Sequence, residues 1–248
     1  MAQELNGQAQ VLSGRLRNVK VTNTTAEVFF RAGDREGMAA TGVAAAALGL
    51  SGAAAGMVAM SMEEMSEPVS QVSFDIDGKH VEALLWNWPF KEEDEVQVVV
   101  EPSPSGSYTG FAVLDPREQI IVLYPHVSAG GVAHWKNVIR LSSLVSAALV
   151  VFIYLLVMAI TYFPGGVRGD RFYDFAKFML LASPLQFLLF FVIGCRMGRR
   201  FTAFVRMAEP IFAVLGWKNV RNISLRKMTK AKKKPTDPPA MGDSYFRY

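Results

Sequence analysis

The sequence predicts an α+β membrane protein. It has a small antiparallel β domain of SH3 or OB size, an inserted Ala/Gly-rich helical hairpin, a two-helix transmembrane hairpin and a basic amphipathic C-terminal helix. Three observations predict this. Two long runs in the second half carry no charge, and short stretches of alternating polarity fill the first half. Charge is also split: up to Arg140 there are 10 Lys/Arg against 17 Asp/Glu, a net of −7, and beyond it 16 against 5, a net of +11. Of 248 residues, 51% are hydrophobic and 19% charged, below the ~25% charged of an ordinary soluble domain. That balance excludes disorder and collagen. Cys195 is the only cysteine, which excludes an internal disulfide and a cysteine-built zinc site.

The β domain is assigned to residues 1–36 and 63–135. Its strands are expected within Leu12–Phe30, then as VSQVSFDI, KHVEALLW and EVQVVVE between Val69 and Glu101, and as GFAVLD and QIIVLY before Tyr124. Asp77-Gly78 suits a two-residue hairpin, because both central positions of that turn need positive φ. The run Lys91-Glu92-Glu93-Asp94-Glu95 is expected as a solvated acidic turn.

Residues 37–62 interrupt this domain with 26 uncharged residues that include ten alanines and five glycines. Gly52 and Gly56 form a GxxxG pair, and Gly42 and Gly49 extend a small-residue face suited to close helix packing in lipid. Only four residues of the segment are Val or Leu, so insertion is weakly driven. It can be a conditional membrane segment, a third constitutive span or a helical hairpin packed on protein. A single span would part the strand before it from those after it. We therefore expect a re-entrant or packed hairpin that inserts on assembly.

Leu141–Tyr162 has 22 residues without a charge, about 33 Å of helix against a hydrocarbon core of about 30 Å. Phe178–Cys195 is a second such run of 18. Pro184 and Gln186 lie inside it, as a hinge or polar lining, or as a kink whose amide bonds to a neighbour. The connector between the runs, residues 163–177, is short and nearly neutral, so the spans (region 136–197) should pair as a hairpin. Thirteen Lys/Arg against three acids follow Cys195. The positive-inside rule then places both termini in the cytoplasm of a multi-pass bacterial inner-membrane protein. Met1 is followed by a polar stretch unlike a signal peptide, so either the internal spans direct insertion or the protein reaches a membrane by another route.

Residues 198–248 are expected as an interfacial helix and a disordered tail. Phe201, Phe204, Val205 and Ala208 share one helical face, while Arg196, Arg199, Arg200 and Arg206 suit the anionic inner leaflet, at about 1 kcal/mol for each cation near the surface. Pro210 is expected to break or turn that helix. The tail's basic cluster lacks aromatic interleaving, so lipid rather than nucleic acid is its expected partner.

Catalytic signals are sparse. His126 and His134 flank Gly130-Gly131, with Asp115 or Glu118 as a conceivable third metal ligand, but no HxxxH or HExxH spacing supports a site. Structural hydrogen bonding is the simpler role. Ser128 has no nucleophile-elbow context. No cofactor is expected, and the function read from the residues is non-enzymatic.

Two stretches carry a family pattern: Trp86–Val96 (WNWPFKEEDEV) and Ile121–Trp135 (IVLYPHVSAGGVAHW). With the Ala/Gly segment upstream and the hydrophobic hairpin downstream, the chain resembles bacterial proteins labelled type VI secretion system effectors. Tyr124, Pro125, His126, His134 and Trp135 form the most specific part of the pattern. The resemblance implies interbacterial competition in a membrane setting. Under it, the chain is expected to act as a membrane-active effector that homo-oligomerises in the bilayer and permeabilises it. Its partners would be the secretion system, a chaperone or a cognate toxin or immunity protein. The alternative is a resident inner-membrane immunity or adaptor protein whose β domain binds a partner.

Overall fold

A computed structural model describes residues 9–27, 66–104, 106–162 and 169–248. The Ala/Gly segment, with Gly42, Gly49, Gly52 and Gly56, lies outside the described residues. The chain divides into two compact units, one built from the segments up to Val127 and from Leu225–Tyr248, the other from Ser128–Ser224.

The first unit is a sheet of eight strands: β1 Gln10–Arg15, β2 Arg17–Glu27, β3 Ser66–Ile76, β4 Lys79–Leu85, β5 Glu95–Pro102, β6 Tyr108–Asp115, β7 Ile120–Leu123 and β8 Phe246–Arg247. The path is β1-β5-β6-β4-β3-β2, with β7 between β6 and β8. β1 and β2 are nearly one strand, bent at the fully buried Leu16, so the two ends of this path are consecutive in the chain. At the bend, Leu16 N–H donates to the Asp94 carbonyl (3.0 Å) and Glu93 N–H to the Leu16 carbonyl (2.9 Å). The acidic turn thus pairs with the bend instead of being merely solvated.

Alternation fixes the core. Val72, Phe74 and Ile76 of β3 face Val81, Ala83 and Leu85 of β4, and Val96, Val98 and Val100 of β5 complete the same cluster. Asp77 and Gly78 both have positive φ, 50° and 72°, and close the β3–β4 hairpin. The sheet is mixed, which corrects the expected antiparallel domain: β4 and β6 pair in parallel over Val81–Ala83 and Tyr108–Gly110. The cause is the loop 86–94, which carries the chain from β4 past the place where β6 inserts beside β5. Another correction concerns the end of the chain. Helix α4, Leu225–Lys232, and β8 belong to this sheet unit, and Phe246 and Arg247 are buried. The expected disordered tail is instead a strand paired to β7 through Ile120 and Ile121.

Helices α1 (Gly131–Tyr162), α2 (Asp170–Arg200) and α3 (Thr202–Val214), with a 3-10 turn at Val220–Asn222, make up the second unit. α1 starts ten residues before its uncharged run, because charge ends a hydropathy signal without ending a helix. α1 and α2 are long and apolar enough to cross a membrane. α3 runs through Pro210 without stopping, contrary to the expected break. Val205, Met207, Ala208, Ile211 and Phe212 of α3 are buried, so the face expected to lie on lipid is covered by protein at Val205 and Ala208. Arg206 is exposed.

Candidate functional site

α1 and α2 meet along a seam of small residues. A Cβ on Gly194 would lie 2.5 Å from Ser142 Oγ, and one on Gly198 would lie 2.8 Å from Val138 Cγ2. Ser142 and Ser146 are the buried serines of α1, at 8% and 1% exposure. Gly194 and Gly198 are therefore a GxxxG motif used in close helix packing. Sequence reasoning looked for this motif in residues 37–62 and overlooked it here, at the end of the second uncharged run. At the base of the seam, His134 Nε2 lies 3.0 Å from the Gly198 carbonyl. A carbonyl only accepts, so the ring carries its proton on Nε2. Structural hydrogen bonding is the role this geometry gives His134.

The outer surfaces are different. Leu144, Phe152 and Leu155 of α1 and Leu181, Leu185 and Leu189 of α2 are among many exposed apolar side chains, with Leu181 81% exposed. Only 6% of α1's most apolar stretch is buried, and none of α2's. A core helix of a soluble domain would be mostly buried. Inside α2, Pro184 removes the N–H that would bond the Leu180 carbonyl. The Ser183 hydroxyl takes its place, donating to that carbonyl at 2.7 Å. Pro184 is exposed and Gln186 half-buried.

Tyr124, Pro125 and His126 follow β7 in the sheet unit. Burial pushes the Tyr124 hydroxyl above its ordinary pKa. His126 has φ 65° and packs its ring 4.8 Å from that of Trp86. Trp86 also meets Phe246 of β8 (6.4 Å), and Arg226 of α4 stands 5.9 Å over its ring. Asn87 donates from Nδ2 to Ser244 Oγ (3.1 Å), while Trp88 packs on Phe74 and Phe90. Trp86 and Asn87 therefore fasten the C-terminal segment to the sheet, and His126 packs against the same tryptophan. Among the described residues, no group of three or more His, Cys, Asp or Glu side chains could hold a metal ion.

A cleft of about 450 Å³ opens in the helical unit between α1, α3 and the 3-10 turn. Trp135, Lys136 and Ile139 line it from α1, Val205, Arg206 and Glu209 from α3, and Arg221 from the turn. Glu209 Oε1 accepts the Gly131 N–H at 2.9 Å, placing a carboxylate on the α1 N-terminus where the helix dipole favours it. The neighbouring Gly130 permits the close approach of the turn, since a Cβ there would lie 2.8 Å from Arg221 Cα. The glycine pair between the two histidines is a packing element. Arg196, Arg199 and Arg200 are exposed at the end of α2. Sequence reasoning did not single out Lys136, Glu209 or Arg221, because charges so far apart in the chain show no common pattern.

Compared with known proteins, the chain matches no family model, no curated sequence and no solved structure.

Proposed function

We propose that the chain is an inner-membrane protein of the type VI secretion setting that acts by assembling in the bilayer, as a non-enzymatic effector that permeabilises it. One observation carries the membrane part: the apolar outer surfaces of α1 and α2, helices of 32 and 31 residues whose most apolar stretches are left almost wholly uncovered. At about 25 cal/mol for each Å² of apolar surface kept from water, two such helices need lipid or further copies around them.

Strand pairing supports a hairpin topology. β7 pairs with β8, Ile120 against Arg247, which supports an even number of crossings by the chain between them. Two crossings, by α1 and α2, agree with this. The excess of Lys and Arg after Cys195 supports a cytoplasmic side for the hairpin's two ends. The Ala/Gly segment, residues 37–62, lies outside the described residues and enters this proposal from its sequence alone. A re-entrant hairpin contributed by several copies is the pore-forming element of this proposal.

The second reading, a resident immunity or adaptor protein, is supported by the sheet unit. It is closed from both flanks of the hairpin and offers a cleft of about 350 Å³ beside Asn23, Pro68, Trp86 and Ser244 for a partner. Expression of the chain alone in a naive bacterium, with membrane potential followed by a voltage-sensitive dye, separates the two. Depolarisation that Gly52→Leu or Gly56→Leu abolishes supports the effector. A normal potential, with protection against a co-expressed toxin, overturns it in favour of the resident protein.

A further inference from the structure

We propose that the cleft between α1, α3 and the 3-10 turn binds the phosphodiester headgroup of an anionic glycerophospholipid, of the phosphatidylglycerol class. This rests on the membrane reading above.

Charge comes first. Lys136, Arg206 and Arg221 converge on the cleft and face one carboxylate, Glu209. That carboxylate already accepts the Gly131 N–H, and it lies 3.9 Å from Arg221 Nε. The balance is positive on three separate elements, with guanidinium groups suited to two-point contact with phosphate oxygens. A zwitterionic headgroup would bring its own cation among these three, whereas an anionic diester brings none.

Apolar chemistry and depth agree with a lipid rather than a dissolved ion. Trp135, Ile139, Val132 and Val205 share the lining, surfaces that a free phosphate does not need. Trp135 precedes the uncharged run at Leu141 by six residues, about 9 Å along the helix. That is headgroup depth below a hydrocarbon core, where Trp is favoured. Ile139, 48% exposed, stands between Lys136 and that run along α1, where an acyl chain would begin. The volume lies within the ordinary range for ligand clefts, roughly 300–1,000 Å³.

The test uses the full chain in phosphatidylcholine vesicles doped with a few per cent of lipid brominated in its acyl chains. Trp135 quenching is isolated by difference from Trp135→Phe. Brominated phosphatidylglycerol should quench Trp135 at mole fractions where brominated phosphatidylcholine does not. Lys136→Gln with Arg221→Gln should weaken that quenching roughly thirtyfold, two charges' worth of surface attraction. Lys230→Gln with Lys232→Gln, an equal loss of charge in the sheet unit, should leave it unchanged. Equal quenching by both lipids, equal loss in both pairs, or displacement by millimolar inorganic phosphate would each overturn the lipid site. A chain that fails to float with the vesicles would remove the membrane reading and this site together, whereas flotation without lipid preference removes the site alone.

Discussion

Ser142 of α1 occupies the space that a side chain on Gly194 of α2 would need, its Oγ only 2.5 Å from where that Cβ would stand. The hairpin is therefore closed by absence of bulk. Gly194→Leu and Gly198→Leu should each destabilise it by about 1–3 kcal/mol, the usual cost of overpacking. Thermal unfolding in detergent micelles reads this directly. Leu181→Ala, on the outer surface, should leave the midpoint nearly unchanged; an equal loss there would argue against the seam.

Ser183 and Pro184 should be coupled. With Pro184 present, Ser183→Ala leaves the Leu180 carbonyl without the hydroxyl that now bonds it, at a cost of about 1 kcal/mol. With Pro184→Ala, the backbone N–H returns and the same serine change should cost little. A double-mutant cycle showing simple additivity would refute the compensation.

The fastening of the C-terminal segment is a packing claim. Phe246 is fully buried and meets Trp86, so Phe246→Ala should cost about 3–5 kcal/mol in the unfolding of the sheet unit. A solvated tail would show no change.

That segment also has a pH dependence. The Arg247 guanidinium donates to both carboxylate oxygens of Asp237, at 2.7 and 3.2 Å. These bonds, and then the Lys234 N–H, hold the Asp237 carboxyl below its ordinary value of 3.8. A depressed carboxyl stabilises the fold at pH above its ordinary value, and the gain is lost as pH falls through the depressed one. Hydrogen exchange at the Arg247 amide, which donates to Thr229 Oγ1 at 2.9 Å, should therefore be protected at neutral pH and lose protection below about pH 4. In Asp237→Asn, protection should already be reduced at pH 7 and show no further carboxyl-dependent step.

The parts of this fold that were legible in the sequence are those set by local pattern. Uncharged runs mark α1 and α2 because a bilayer asks only for length and apolarity. Asp77-Gly78 marks a hairpin because few residues accept its dihedrals. What escaped depends on distant partners. The parallel meeting of β4 with β6 leaves no trace in either strand. β8 is two residues long, too short for any alternation, and follows a lysine-rich stretch that looks solvated; only the aromatics in Ser244-Tyr245-Phe246-Arg247-Tyr248 hinted at burial. Gly194 and Gly198 went unread because Arg196 stands between them, where hydropathy falls although the helix goes on. The cleft was hardest to foresee, since Lys136, Glu209 and Arg221 become neighbours only once α3 folds back beside α1.

The bond from Arg247 to the Glu118 carbonyl joins positions 129 residues apart. At a synthesis rate of about 5–20 residues per second, β7 leaves the ribosome some ten seconds or so before the strand that covers it. Both apolar helices emerge during that wait, while the far edge of β7 is still bare and open to other strands. The sheet is thus finished after the hairpin is made, and translation itself sets the order of assembly. A ribosome stalled between the two would hold a sheet with one side unsealed, which a chaperone or a neighbouring chain could find first.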